Sequence, residues 1–478
     1  MPSCSTIDTR IHRLPTETLI LIFLFHADPF AYKSIFKAHN FRNELENLAN
    51  LRLLTLSQVC SRWHTTVLDT PTFWTKIDLN CVLWRTSSCL GKTVALLAST
   101  LRRGRDLPLI LQITTDGNIP LHPRIFHLLA SHSRRWASLT IFCDIDGICF
   151  SGLEGRLPAL EKLQLDPIRV SPPNPFNYLK GAPALRRLHV TSPLLDGISR
   201  NTLQNLVACG CEATCLLHIA QSLSLLSQLP TTTSAFELAF DCNKASTDPN
   251  QTVDLHIAPQ TSTISSFTFM LGNQHPLKIL AQILASLTLP ALREIHFGCV
   301  RYPRGILEWP HAQFIALSER SAFPHTLKIL NVAHVRMAEP ALLEVLSMLT
   351  SLEELQIADK RNVNSEGADV LLITDTLLRA ITCAAPGPDA TDTTSLIPQL
   401  RVLHCASRLQ FTHNLLLEFV SSRLELAPNF SPFLLEVRPL TEADGRLDAE
   451  VHERLEAMWS RRRRFGYCFG RPEYPAPL

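Results

Sequence analysis

The sequence predicts an α/β chain in two parts: a small all-helical module near the N-terminus, then an irregular stack of strand–helix units. Two observations carry this expectation. Beyond about Asp106, short runs with the spacing apolar-x-x-apolar-x-apolar recur along the chain with helical stretches between them. Before that point lie two apolar helical stripes, closed by an aromatic pair. Composition agrees, since 46% of the 478 residues are apolar and 18% charged, enough to bury a core and too apolar for intrinsic disorder. Leucine alone supplies 80 residues. Lys and Arg number 45 against 43 acidic residues, a net charge of +2, which gives no global field to attract nucleic acid or an anionic membrane. No apolar run reaches the ~18 residues of a membrane-spanning helix.

The first helix is expected from LPTETLILIF. Pro15 suits a first helical turn, where its missing N–H had no partner, and Glu17 complements the positive end of the helix dipole. Leu19, Ile22, Phe23 and His26 recur at i, i+3, i+4 and i+7, with Leu21 and Leu24 off the stripe. A helix that is apolar nearly all round needs covering from both sides, by its own module and by something else. A second helix is expected over LSQVCSRWHTTVL, where Leu56, Val59, Cys60 and Trp63 share a stripe. Thr70-Pro71 ends it, and Phe73-Trp74 leads into the alternating TKIDL. Residues 27–50 between the two helices form a long insertion.

The order LPxExLxxIF, LxxVCxxW, TPxFWxxIxL resembles the F-box motif, with all three blocks present over about the first 80 residues. The resemblance implies a three-helix module that docks on a Skp-type adaptor and, through it, on a cullin-RING (SCF-type) ubiquitin ligase. It also implies that Leu14, Pro15, Leu19, Ile22 and Phe23, with Val59, Cys60 and Trp63, form the adaptor-binding surface. The insertion either leaves that face open or screens it.

A connecting helix is expected over 81–105, and the stack over 106–440. Its clearest strands begin at Leu160, Leu185, Leu292, Leu327, Leu352 and Leu400, most of them after proline or a small polar residue; weaker copies begin near Trp136, Ala235 and Ile264. Helices are expected over Pro276–Leu287, Glu339–Thr350 and Thr412–Leu424. Strand, helix, strand at intervals of roughly 22 to 35 residues describes units that bury one another. A compact α/β domain is the competing arrangement; recurrence of the same turn into each strand favours the stack. It resembles the leucine-rich repeat, which implies parallel strands on a concave face and helices on a convex one. The Asn or Cys of that repeat, which satisfies turn backbone, is missing: Ile168, Pro193, Val300, Val335 and Lys360 stand there instead. Ala384–Ser395 reads as an exposed loop. A helix from Leu447 to about Arg463 is expected to cap the last unit within a tail of 441–478. Its Arg461–Arg464 run fits an import signal, an anion patch or a solvated helix end alike.

Catalytic and cofactor chemistry is not expected. Gly91-Lys92-Thr93 lacks the first glycine of a phosphate loop, and Asp144-Ile145-Asp146-Gly147 lacks the remaining ligands of a calcium loop. Cys209, Cys211 and Cys215 lack paired C-x2-C spacing and a fourth ligand, so no metal is assigned; the 14 cysteines read as free thiols. Leu19–Phe25 imitates a secretory signal, but Pro15, Glu17 and the lack of a cleavage site argue against one. His189, His296 and His404, with Gln356, hold the slot between two core positions of their strands and are expected to face a partner protein. The function expected is target recognition in an SCF-type ligase, cytoplasmic or nuclear, with no cofactor, nucleic acid or membrane. The alternative is a repeat scaffold without a ligase role.

Overall fold

The computed structural model describes residues 14–27, 49–80, 87–115, 121–142, 153, 155–166, 182–191, 198, 200–240, 257–271, 279–299, 307–332, 335–359, 371–383, 395–426, 432–439, 446–461 and 465–469. The insertion from 28 to 48, the loop from 384 to 394 and Arg462–Arg464 lie outside them. The chain divides into two compact units, one of residues 1–206 with 477–478 and one of residues 207–476.

The first unit opens with α1 (Thr16–Ala27), α2 (Ala49–Ser57), α3 (Ser61–Asp69) and a 3-10 turn at Pro71–Trp74. The single helix expected around Leu56–Trp63 is two helices. Gln58 and Val59 donate to Thr55 and Leu56 carbonyls three residues back, which closes α2, and Cys60 is extended at the N-cap of α3. The break lets Leu53 and Val67 enter one core from different directions. Next come β1 (Lys76–Asn80), α4 (Ser87–Arg103), β2 (Leu109–Thr114), α5 (Pro123–Ala130), β3 (Trp136–Phe142), β4 (Lys162–Leu165), β5 (Arg187–Thr191) and the single turn α6 (Arg200–Leu203). The strands pair in chain order, each parallel to the next. One face carries the core as two apolar rows: Ile77, Leu111, Leu139, Leu163, Leu188 and Leu79, Ile113, Ile141, Leu165, Val190. Gly91-Lys92-Thr93 lies inside α4, so it forms no phosphate loop.

The second unit repeats the logic: β6 (Ala208–Ala213), α7 (Leu216–Leu226), β7 (Ala235–Phe240), β8 (Ser266–Leu271), α8 (Ile279–Ser286), β9 (Glu294–Cys299), α9 (His311–Ser321), β10 (Ile329–Val332). It continues with α10 (Glu339–Met348), β11 (Glu354–Ala358), α11 (Asp375–Ile381), β12 (Val402–Ser407), α12 (His413–Leu426), β13 (Phe433–Pro439), α13 (Ala449–Arg461) and β14 (Phe465–Phe469). These nine strands again pair parallel and in chain order. Parallel neighbours need a crossover between them, which is why helices separate most of the strands. Four of the strands, β2, β6, β13 and β14, are not among those the sequence led one to expect. β6 is built of small residues (ACGCEA) that carry no leucine signature, and β14 follows the expected capping helix. Cys209 and Cys211 are buried free thiols on the core side of β6, and the hydrogen bond to Cys211, with burial, pushes the Cys209 thiol up.

Arginines close the helix ends. The last carbonyls of a helix have no partner within it. Arg135 donates to Leu101 and Leu107 at 3.2 and 2.9 Å, and Arg320 to Leu284 and Leu287 at 2.7 and 3.0 Å. Arg423, 5% exposed, reaches the carbonyls of Ile381, Ile397 and Pro398. Arg135 and Arg320 thus satisfy carbonyls at or just after the end of an earlier helix, and Arg423 joins the end of α11 to the segment leading into β12. Replacing Arg320 by Met should keep the apolar stem and lose both bonds, at a cost of about 1–2 kcal/mol. Hydrogen exchange should quicken in the last turn of α8, whereas an unchanged rate there would refute the clamp.

Candidate protein-interaction surfaces

The helical module is built around Phe23. Its ring meets Trp63 edge-on at 4.8 Å and Phe73 at 6.2 Å. Leu19, Leu53, Val67 and Trp74 complete the buried cluster, with Leu14, Ile20, Leu54, Leu56 and Leu68 against it. Trp74 Nε1 donates to the Val67 carbonyl at 3.0 Å, and the Arg103 guanidinium lies 4.9 Å above its ring. Arg62 reaches back to the Leu14 carbonyl, tying α3 to the start of α1.

The expected adaptor surface is therefore corrected in part. Leu19 and Phe23 are 0% and 1% exposed and form the module's own core, because they are the α1 positions that point at α2 and α3. Trp63 is half-buried against Phe23, and Leu14 and Cys60 are half-buried as well. What α1 leaves in solvent is Pro15, Leu21, Ile22 and Leu24, and the α2–α3 turn leaves Val59; Leu21 is 66% and Val59 58% exposed. Large aliphatic side chains so exposed on one small module make it a candidate interaction surface.

Residues 11–80 match the F-box-like family. The match coincides with this module, and it points to an adaptor or substrate-receptor role in SCF-type complexes, whose F-box domains typically bind Skp-type adaptors. No curated protein shows significant similarity to the chain.

The second surface is the sheet face opposite the core. Side chains alternate along a strand, so residues in register across parallel strands share a face. In the first unit the central row is Asp78, Gln112, Thr140, Gln164 and His189. In the second it is Gly210, Glu237, Thr268, His296, Asn331, Gln356, His404, Glu436 and Cys468. The four residues expected to face a partner, His189, His296, Gln356 and His404, thus all stand in such a row. Glu237, Thr268, Asn331 and Glu436 share that row without having been expected there, although each occupies the same slot between two core residues (FEL, FTF, LNV, LEV).

The row is internally bonded over part of its length. Asn331 Nδ2 donates to Gln356 Oε1 at 3.0 Å, and the Glu436 carboxylate accepts from His404 Nδ1 and Arg438 Nε, both at 2.6 Å. Burial pushes the Glu436 carboxyl up, but Arg438 and His404 outweigh it and hold the group below the usual range. Burial lowers His296, against the raising influence of Glu294 and Glu237. Imidazole and carboxylates meet here, and no group of three metal-binding side chains occurs among the described residues.

Proposed function

We propose that this chain is the substrate-recognition subunit of an SCF-type ubiquitin ligase. The helical module docks on a Skp-type adaptor and through it on a cullin-RING ligase. The strand–helix units form an irregular leucine-rich-repeat-like solenoid whose concave sheet face holds a protein destined for ubiquitin-dependent degradation. The observation that carries this reading is the F-box-like match over residues 11–80, on a module that leaves Leu21, Ile22, Leu24 and Val59 in water. Parallel strands in chain order, with a polar row on one face, support the second half. Such a protein makes and breaks no bond; it raises the effective concentration of target at the ubiquitin-loading enzyme by tethering both. Its place of action under this reading is the cytoplasm or nucleus.

Capture of a purified Skp-type adaptor by the full chain tests it. The wild type should retain the adaptor. Ile22→Asp with Val59→Asp should reduce capture at least tenfold, since a charge replaces an apolar contact of about 1.5–3 kcal/mol at each position. A wild type that fails to bind would leave a protein-interaction scaffold with no ligase role.

A further inference from the structure

His413 joins three parts of the second unit at once. It is the first residue of α12, and its side chain is 13% exposed. Nε2 lies 3.2 Å from the Leu409 carbonyl, in the turn that leaves β12. A carbonyl oxygen only accepts, so Nε2 carries the proton of the neutral ring and Nδ1 is left bare. At 3.0 Å Nδ1 accepts from the backbone amide of Asp448, the residue before α13. Oδ2 of the same Asp448 stands at the same 3.0 Å from Nδ1. One ring nitrogen therefore faces both a donor and an acceptor of a single residue, and its protonation state decides which of the two it bonds.

His452, on α13 itself, is placed differently. Its Nδ1 lies 2.9 Å from Tyr467 Oη and its Nε2 3.3 Å from Glu456. A hydroxyl rotates to donate or to accept, so those partners serve the neutral and the charged ring alike. The helices packed against α12 are α11 and α13. In their first turns Asp375 accepts from Thr412 and pairs with Arg379, and Glu450 lies 4.0 Å from Arg454. The carboxylate that meets the His413 ring is that of Asp448.

We propose that His413 is a pH-controlled latch on the start of α13. The neutral ring holds the Asp448 amide. Protonation puts a hydrogen on Nδ1, which then opposes that amide and bonds the Asp448 carboxylate instead. The side chain is kept and the backbone is let go. The Nε2 side of the ring stays anchored, because the Leu409 amide in turn donates to Ser407 Oγ at 3.0 Å. Asp448 is 70% exposed, so the adjustment falls on the start of α13. The amide bond is thus present on the alkaline side of the imidazole titration and is lost as pH falls through it.

The test is hydrogen exchange of the full chain from about pH 8 down to about pH 5.5, a range that spans the ordinary imidazole titration. Each rate is divided by the intrinsic rate at the same pH, which leaves protection alone. Protection of the Asp448 amide and of the first turn of α13 should fall about two- to tenfold toward the acid end, the span of one net hydrogen bond. Protection in α8 and α10 should not change. His413→Gln keeps an acceptor and a donor but does not titrate, so protection at the start of α13 should stay level across the range. Should that variant lose its fold by circular dichroism, His413→Asn offers the same pair of atoms on a shorter side chain. Level protection in the wild type, or an equal fall in the variant, would overturn the inference. A fall shared by α8 and α10 would overturn it as well, since acid would then be loosening the whole unit.

Discussion

Asp359→Leu should be among the most damaging single changes in the second unit, costing on the order of 4 kcal/mol because three backbone N–H groups lose their acceptor in a dry site. The carboxylate is 0% exposed. Oδ1 accepts from the Leu372 and Ile373 amides at 2.7 and 2.9 Å, and Oδ2 from Ser407 Oγ and the Arg408 amide at 2.8 and 3.0 Å. One side chain thereby fixes the end of β11, the start of the segment after residue 370 and the turn that leaves β12. Within that turn Leu409 holds a left-handed φ of 56° and donates its amide to Ser407 Oγ, a conformation that a bulky L residue keeps only under constraint. Hydrogen exchange at Leu372, Ile373 and Arg408 should rise strongly in the variant while α1–α3 stay protected; unchanged exchange there would refute the role. Burial raises this carboxyl above its ordinary value, against the four hydrogen bonds that lower it. The folded state therefore holds the proton more readily than the unfolded chain. Its protonation favours folding most below the usual aspartate range, and that contribution fades as pH rises through the raised value. The wild type should show this slope on the acid side and the Leu variant should lack it.

Asp359 also shows what the sequence did and did not disclose. The run SLEELQIAD is legible as the best-formed strand, but Lys360 stands where the repeat's turn-satisfying Asn or Cys would be. The same work is done one residue earlier, by a carboxylate whose partners are 13 to 49 residues away in sequence, a separation that no local spacing announces. Strands with leucine at two or three core positions, such as β4, β5 and β11, were visible because a period of two with one apolar face is a local signal. β6 was not visible, since Cys209 and Cys211 fill its core positions, and small residues give weak hydropathy contrast. The break between α2 and α3 was hidden for a different reason. Leu56, Val59, Cys60 and Trp63 keep helical spacing straight through it, and only tertiary packing around Phe23 decides that Val59 turns outward. In the contact row, the slot between core residues was the readable signal, and residue type within it was not.

Phe23→Ala and Ile22→Ala, adjacent in sequence, should separate folding from docking. Removing the Phe23 ring leaves a cavity beneath Trp63 and Phe73 at a cost of about 3–5 kcal/mol. A module of some 70 residues has little margin against such a loss. The amides of α1 and α3 should then exchange rapidly, and adaptor capture should fall because the docking surface is no longer assembled. Ile22 is 43% exposed, so its truncation removes little buried area and should change stability by less than about 1 kcal/mol. Capture by the Ile22 variant should nevertheless weaken several-fold, with exchange in α1 as slow as in the wild type. The deciding comparison is exchange and capture measured on the same two preparations of the full chain. If Phe23→Ala keeps α1 protected and loses capture while Ile22→Ala changes neither, then Phe23 turns outward on docking. The assignment of Leu19 and Phe23 to the core would then hold only for the free protein.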